Sequence, residues 1–262
     1  GGGNMASAII GGLIRQGVPA SRITIVEPYE PQRAQLLQQF GITALPEATA
    51  ALASAQVVVW AVKPQTFKDA AAAVAPYTAQ ALHLSVAAGI RSESIAQWLN
   101  NQHVIRAMPN TPALVGMGMT ALVARSEVTG AQQQLAEQII ATTGQFLWVE
   151  QESQLDAVTA LSGSGPAYVF YFLEAMERAG VEMGLSSEQA LKLAIGTFSG
   201  ASQLAAQSTE PPAVLRERVT SKGGTTFAAL ESMRASNIAA QFITAIKAAD
   251  KRATELGDEF GR

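Results

Sequence analysis

Gly1-Gly2-Gly3-Asn4-Met5-Ala6 runs without a break into an apolar, helix-patterned stretch from Met5 to Gln16, closed by Gly17. The six residues fit the pattern G-x-G-x-x-A. In that pattern Gly1 allows a tight turn, Gly3 lets the backbone approach a ligand, and Ala6 lets helix and strand pack closely. The helix start, through Asn4 and Met5, leaves N–H groups and a positive dipole end free for phosphate. Glycines also open helices for steric reasons alone, so the surroundings carry the reading. A β-branched segment, Ile23-Thr24-Ile25-Val26, reads as a strand and ends at Glu27, 21 positions after Ala6. An acidic group there accepts hydrogen bonds from the ribose hydroxyls of a dinucleotide. The pattern also calls for a strand before its first glycine. The sequence starts inside the loop, and we expect that strand to be missing from it.

Further along, helical and strand patterns alternate. Pro31 to Phe40 is helical and stopped by Gly41, and Gln56 to Val62 is a continuous apolar strand suited to burial on both faces. Ala81 to Val86, His103 to Ala107 and Met119 to Ala124 are further strands. This alternation predicts right-handed βαβ units in a doubly wound sheet. After Phe146-Leu147-Trp148-Val149 the pattern changes, and no further strand is read. Tyr168 to Met183, Glu188 to Gln207 and Ile238 to Leu256 are helical, the last closed by Gly257. The chain is therefore expected to divide into an α/β part over residues 1–150 and an all-helical part over 151–262. The Tyr168 helix is apolar on several faces and needs a partner, which a second subunit supplies. Gly196 and Gly200 would let backbones approach there, or would serve packing within the chain.

Composition narrows the function. Of 262 residues, 15% are charged, against about a quarter in a typical soluble domain, which suggests surface hidden in an oligomer. The net charge of -3 and the lack of a basic block exclude the electrostatic footprint of nucleic-acid binding. Cysteine is absent, which removes disulfides and thiolate chemistry, and with only two histidines no metal site is expected. No apolar run is long enough to span a membrane and no signal peptide is read, so a cytoplasmic protein is expected.

Three strand ends carry small residues and prolines: Ala61-Val62-Lys63-Pro64, Ala87-Ala88-Gly89, and Pro109-Asn110-Thr111 after Arg106-Ala107-Met108. Ligands of such sheets sit at the carboxyl ends of the strands, so together these segments suit a rigid groove for a nicotinamide ring. Each alone also reads as a plain loop. Ser221-Lys222-Gly223-Gly224-Thr225-Thr226 precedes a helix, and reads either as a carboxylate site or as a flexible loop with a threonine cap. Glu27 favours NADH slightly, since a carboxylate repels the 2′-phosphate of NADPH. Spacing does not place Arg33 to compensate.

Taken in order, Gly1 to Ala6, Ala61 to Pro64, Ala87 to Gly89, Arg106 to Pro112, Ser162-Gly163-Ser164-Gly165-Pro166-Ala167-Tyr168 and Gly223 to Thr226 resemble the pyrroline-5-carboxylate reductases. The resemblance covers nearly the whole chain. It implies a Rossmann-type N-terminal domain and an all-α C-terminal dimerisation domain. It also implies a homodimer that can build a decamer, an active site between the domains completed by the partner, and NAD(P)H-dependent reduction of 1-pyrroline-5-carboxylate to L-proline. In such enzymes the substrate carboxylate would meet the N–H groups of Thr225 and Thr226, in the loop that holds Gly224, and the Ser221 hydroxyl. The Thr226 hydroxyl would meet the ring nitrogen. Lys222 stands where relatives often have proline, and Glu27 where NADPH-preferring relatives have Asn or Ser. A β-hydroxyacid dehydrogenase, with Lys192 as its lysine, and a non-catalytic dinucleotide-binding paralogue are the rival readings.

Overall fold

Side-chain alternation along four short apolar runs decides what each face of the sheet buries. The computed structural model describes residues 1–260. Helices α1 (Asn4–Arg15) and α2 (Glu30–Phe40) come first, followed by β1 (Val57–Trp60), α3 (Pro64–Val74), β2 (Leu82–Ser85), α4 (Ser92–Leu99) and β3 (Val104–Met108). Then come β4 (Gly118–Ala124), α5 (Gly130–Ile140) and β5 (Gly144–Trp148). Among the described residues the strands lie in chain order, β1-β2-β3-β4-β5. Val57, Val59, Leu82, Leu84, Ile105 and Leu122 face one side, against Ile9 of α1 and Ile139 and Ile140 of α5. Val58, Trp60 and Val104 face the other, against Phe67 and Ala71 of α3 and Ile95 and Leu99 of α4. Helices on both faces, with parallel β1-β2-β3 joined through α3 and α4, are the Rossmann-like plan expected from the sequence.

In the sheet, two details differ from the sequence reading. Strand β4 runs antiparallel to β3 and parallel to β5. The link Pro109–Met117 holds only a 3-10 turn at Thr111–Val115, too little chain for a parallel crossover. Ile23-Thr24-Ile25-Val26 forms no strand. Its single ladder contact is the parallel bridge Val26–Leu45, and no described strand lies between it and β1.

The helical part consists of α6 (Gln154–Val158), a π turn at Thr159–Gly163, α7 (Gly165–Glu182), α8 (Ser187–Gln207), α9 (Pro212–Arg218), α10 (Thr225–Ala235) and α11 (Ile238–Phe260). No strand occurs after β5 among the described residues, as patterning indicated. Packing groups Gly1–Pro166 with residues 248–260 as one compact unit, and Ala167–Lys247 as a second. Helix α11 does not stop at Gly257. It runs on to Phe260, because Gly257 is a packing glycine: a Cβ there would lie 3.2 Å from the Arg91 guanidinium. In the second unit Tyr168 and Phe172 of α7 meet Phe242 of α11 edge to face. Large apolar side chains nonetheless face outward from α7 and α8, among them Phe170, Tyr171, Leu193 and Ile195. A Cβ at Gly196 or Gly200 would meet nothing within 4 Å, so packing within the chain does not explain these glycines.

His83 of β2 is buried beside Trp60, whose indole N–H donates to His83 Nδ1 at 3.0 Å. Nδ1 is thus the acceptor and Nε2 carries the proton. Burial pushes the imidazole from its ordinary 6.5 down to about 4, and the nearby His103 adds to this, against a hydrogen bond with the Thr78 backbone. An unfolded chain therefore takes up a proton near pH 6.5 that the folded chain refuses until about 4. The stability contributed by neutral His83 is complete above that window, is lost as pH falls through it, and changes no further below it. The expected loss is roughly 3 kcal/mol. Denaturant titrations at steps from pH 7.5 to 4 should show this slope in the native chain and a shallower one in His83→Gln, which keeps an acceptor for Trp60. Equal slopes would exclude His83 as the source.

Candidate active site

Helix α1 begins directly after Gly3, with no side chain capping it. Its first internal bond is donated by Ser7 N–H to the Gly3 carbonyl, 2.9 Å, so the N–H groups of Asn4, Met5 and Ala6 have no helical acceptor. Gly3 itself is extended (φ -71°, ψ -170°), and a Cβ there would meet nothing within 4 Å. The helix end is thus open to an anion, with no side chain in the way. The other two glycines are required by their neighbours. A Cβ on Gly1 would lie 2.3 Å from the Ala61 carbonyl, and one on Gly2 would lie 2.5 Å from Leu36 Cδ1 of α2. Sequence spacing assigned a role to Gly1 and Gly3 but missed Gly2. Ala6 is buried with Ile10, Ile25 and Leu36, the close helix packing expected of it.

Glu27 is held in place by the backbone. Its Oε2 accepts from Gly2 N–H at 2.7 Å and its Oε1 from Tyr29 N–H at 2.9 Å. Gln32 of α2 donates to the Gly2 carbonyl at 2.7 Å and so ties the same loop from the other side. Arg33 is closer than its spacing suggested. Its Nη1 donates to the carbonyls of Glu27 (3.1 Å) and Pro28 (2.6 Å), because the first turn of α2 folds back over the end of the extended segment.

The strand-end segments lie where the sequence placed them. Ala61 and Val62 follow β1, Lys63 precedes α3, and Pro64 is the first residue of that helix. Ala87, Ala88 and Gly89 join β2 to α4, with Gly89 at φ +74°, a conformation that excludes most side chains. A Cβ at Gly89 would touch Leu256 and Phe260 of α11, both at 3.4 Å. Pro109, Asn110 and Thr111 follow β3. The Asn110 side chain is fully engaged: its amide donates to the Ser162 hydroxyl and carbonyl (3.2 and 3.3 Å), and its oxygen accepts from Met119 N–H at 2.9 Å. The π turn that presents Ser162 was not read from the sequence.

A charged cluster sits behind these loops. Arg106 is buried on β3 and donates to Glu152 at 2.7 Å. The same carboxylate accepts from the backbone N–H and the hydroxyl of Ser92, at the start of α4, both at 2.5 Å. Burial opposes its charge, but the bonds from Ser92 and Arg106 hold its pKa below the usual carboxylate value. Glu152 thereby ties the start of α4 and strand β3 to the chain that follows β5.

In the second unit, Ser221 to Gly224 form a turn closed by Gly224 N–H to the Ser221 carbonyl at 3.0 Å, with Gly223 at φ +75°. Helix α10 starts at Thr225 with Gly224 as its cap and no side-chain cap bond, so the threonine-cap reading is not realised. Ala228 N–H to the Gly224 carbonyl is the first internal bond. The N–H groups of Thr225 and Thr226 are therefore free of helical acceptors, and Thr226 is half-buried. Lys192 lies on α8 beside Gln189, Leu193 and Gly196, without the Ser221–Thr226 loop in that group.

A dinucleotide-type helix start on a Rossmann-like sheet, followed by a helical part, is the plan of a nicotinamide-dependent oxidoreductase. Residues 1–89 match the family model for NADP oxidoreductase, coenzyme F420-dependent, and residues 152–256 match the model for pyrroline-5-carboxylate reductase dimerisation. A pyrroline-5-carboxylate reductase of Pseudomonas aeruginosa is 45% identical over all of this chain and 97% of its own length. The solved pyrroline-5-carboxylate reductase of Coxiella burnetii superposes with a TM-score of 0.91 at 37% identity, covering 98% of this chain and 96% of that one. The pyrroline carboxylate reductase of Plasmodium falciparum, solved with NADP bound, gives 0.83 at 26% identity, covering 98% of each chain. This chain belongs to the pyrroline-5-carboxylate reductase family.

The Arg106–Glu152–Ser92 cluster yields a direct expectation. Glu152→Ala leaves a buried guanidinium without its counter-charge and should cost roughly 3 kcal/mol of unfolding free energy. Denaturant unfolding of the variant beside the native chain measures this; a loss under about 0.5 kcal/mol would mean that water replaces the carboxylate.

Proposed function

We propose that this chain reduces 1-pyrroline-5-carboxylate to L-proline with NADH or NADPH, an oxidoreduction of a C=N bond and a step of proline biosynthesis. The observation that carries the reading is full-length similarity at 45% identity to a reductase of that name, with both parts of the chain matched by family models. When bound, the reduced nicotinamide supplies a hydride to C5 of the substrate. The protein's own task is to bind, orient and exclude water.

We assign residues 1–150 to the dinucleotide and residues 151–262 to dimerisation and substrate, as the matched segments 1–89 and 152–256 support. The N–H groups of Asn4, Met5 and Ala6 take the pyrophosphate beside Gly1 and Gly3. Glu27 takes the adenosine ribose, with a lean toward NADH. Ala61 to Pro64, Ala87 to Gly89 and Pro109 to Thr111 line the groove for the nicotinamide end. The turn at Ser221 and Gly224, with the N–H groups of Thr225 and Thr226, binds the substrate carboxylate. The Thr226 hydroxyl donates to or accepts from the ring nitrogen and stabilises the changing charge there. A protonated imine is already electrophilic, so no strongly shifted acid or base is required.

The outward apolar side chains of α7 and α8 meet a second copy of this chain, as the dimerisation match over residues 152–256 supports. The working unit is a homodimer, able to assemble further into a decamer, in the cytoplasm. No helix among the described residues is long and apolar enough to cross a membrane.

Steady-state oxidation of each reduced cofactor, with and without pyrroline-5-carboxylate, tests the activity. No substrate-dependent oxidation with either cofactor would overturn the assignment. Thr226→Val, which removes the hydroxyl at constant shape, should lower turnover roughly tenfold or more while cofactor affinity holds. Turnover within about twofold of native would remove Thr226 from the mechanism.

A further inference from the structure

Two opposite charges converge on the end of the Ile23–Val26 segment. Glu27 presents a carboxylate whose two oxygens are each oriented by a backbone N–H, from Gly2 and Tyr29. Arg33 presents a guanidinium anchored through Nη1 alone, on the carbonyls of Glu27 and Pro28. Among the described residues Arg33 has no ion-pair partner within the salt-bridge distance, and Glu27 is not paired with it. The two groups are neighbours on the same turn without neutralising each other. Arg33 is half-buried, so its stem is packed while its charge is fixed near the surface.

A carboxylate at this point accepts from a 2′,3′-diol and repels a 2′-phosphate, whereas a guanidinium does the reverse and can engage phosphate oxygens through its free edge. Nη1 is used by backbone carbonyls, which leaves Nε and Nη2 as the edge for a phosphate. We infer that Arg33 is the residue through which this chain accepts a 2′-phosphorylated cofactor despite Glu27. Glu27 and Arg33 then form a matched selector: the first holds the diol of NADH, the second offsets its repulsion of the 2′-phosphate of NADPH. Selection is therefore a balance of two fixed charges. The inference rests on the reading that Glu27 faces the adenosine ribose.

Binding separates the two ideas. Dissociation constants of NADPH, NADH, adenosine 2′,5′-bisphosphate and adenosine 5′-monophosphate are measured by calorimetry on the intact chain, Arg33→Gln and Glu27→Gln. Arg33→Gln should lower the preference for NADPH over NADH, and for the bisphosphate over the monophosphate, about tenfold. Glu27→Gln should raise both preferences by a similar factor of about ten. If Glu27→Gln raises them and Arg33→Gln leaves them within about twofold, the role of Arg33 is overturned while that of Glu27 stands. If Glu27→Gln changes neither preference, the ribose reading itself fails. An equal loss for all four ligands in Arg33→Gln would also overturn the inference, since it would mark Arg33 as a brace for the loop and nothing more.

Discussion

Helix α1 can start where it does only because the chain before it carries no side chains. The Ala61 carbonyl at the end of β1 occupies the place of a Gly1 Cβ, and Leu36 of α2 occupies the place of one on Gly2. The loop is pressed between a strand end and a helix, and its single open direction is at Gly3. That contact sets the helix axis against the carboxyl edge of the sheet and aims three free N–H groups outward. It also brings Gly2 N–H onto Glu27, so the same approach that leaves the helix start uncapped orients the neighbouring carboxylate. An alanine at either of the first two positions would push the helix start away and disturb the Gly2–Glu27 bond with it.

The loops that follow the strands are held by charge as well as by packing. Arg106 lies on the face of the sheet covered by α4, where burial of a lone guanidinium would be costly. Glu152 offsets this and has enough oxygen lone pairs to take the Ser92 N–H and hydroxyl as well. The cluster is small, but it joins β3, the start of α4 and the chain leaving β5. Close by, the end of α11 packs on Gly89 and Arg91, with Asp258 paired to Arg91 at 2.7 Å. That pair is largely exposed and contributes little to stability by itself.

Much of this was legible in the sequence, for identifiable reasons. Continuous apolar runs such as Val57 to Val62 carry their own signal of double-sided burial, and the glycine loop followed by Glu27 fixes a spacing that few other arrangements share. Strand direction was not legible: periodicity is the same in a parallel and an antiparallel strand, so β4 needed the length of the Pro109–Met117 link to be judged against what a crossover requires. Gly257 looked like a stop because a glycine after an apolar stripe usually is one, and only its contact with Arg91 shows otherwise. Ile23 to Val26 has strand composition, but a ladder is a property of two segments, and it pairs only at Val26. Arg33 was discounted on spacing along a helix, which ignores how far a long side chain reaches back toward the helix start. Asn110 and Ser162 are 52 positions apart, and no local pattern could pair them.

Two helix starts, one in each compact unit, share one device. Helix α1 and helix α10 each begin at a glycine, each lacks a side-chain cap, and each leaves its first N–H groups without helical acceptors. Each start therefore suits an anion, which needs donors and no proton taken from it. Backbone N–H groups are well matched to that task. They hold a fixed direction, they do not titrate, and they leave no side chain to compete with the ligand. They are also independent of titrating side chains, in a chain that has no cysteine and only two histidines, one of which is locked in the core beside Trp60. The charged side chains beside the α1 start are in turn positioned by the backbone: the N–H groups of Gly2 and Tyr29 orient Glu27, and the carbonyls of Glu27 and Pro28 hold Arg33.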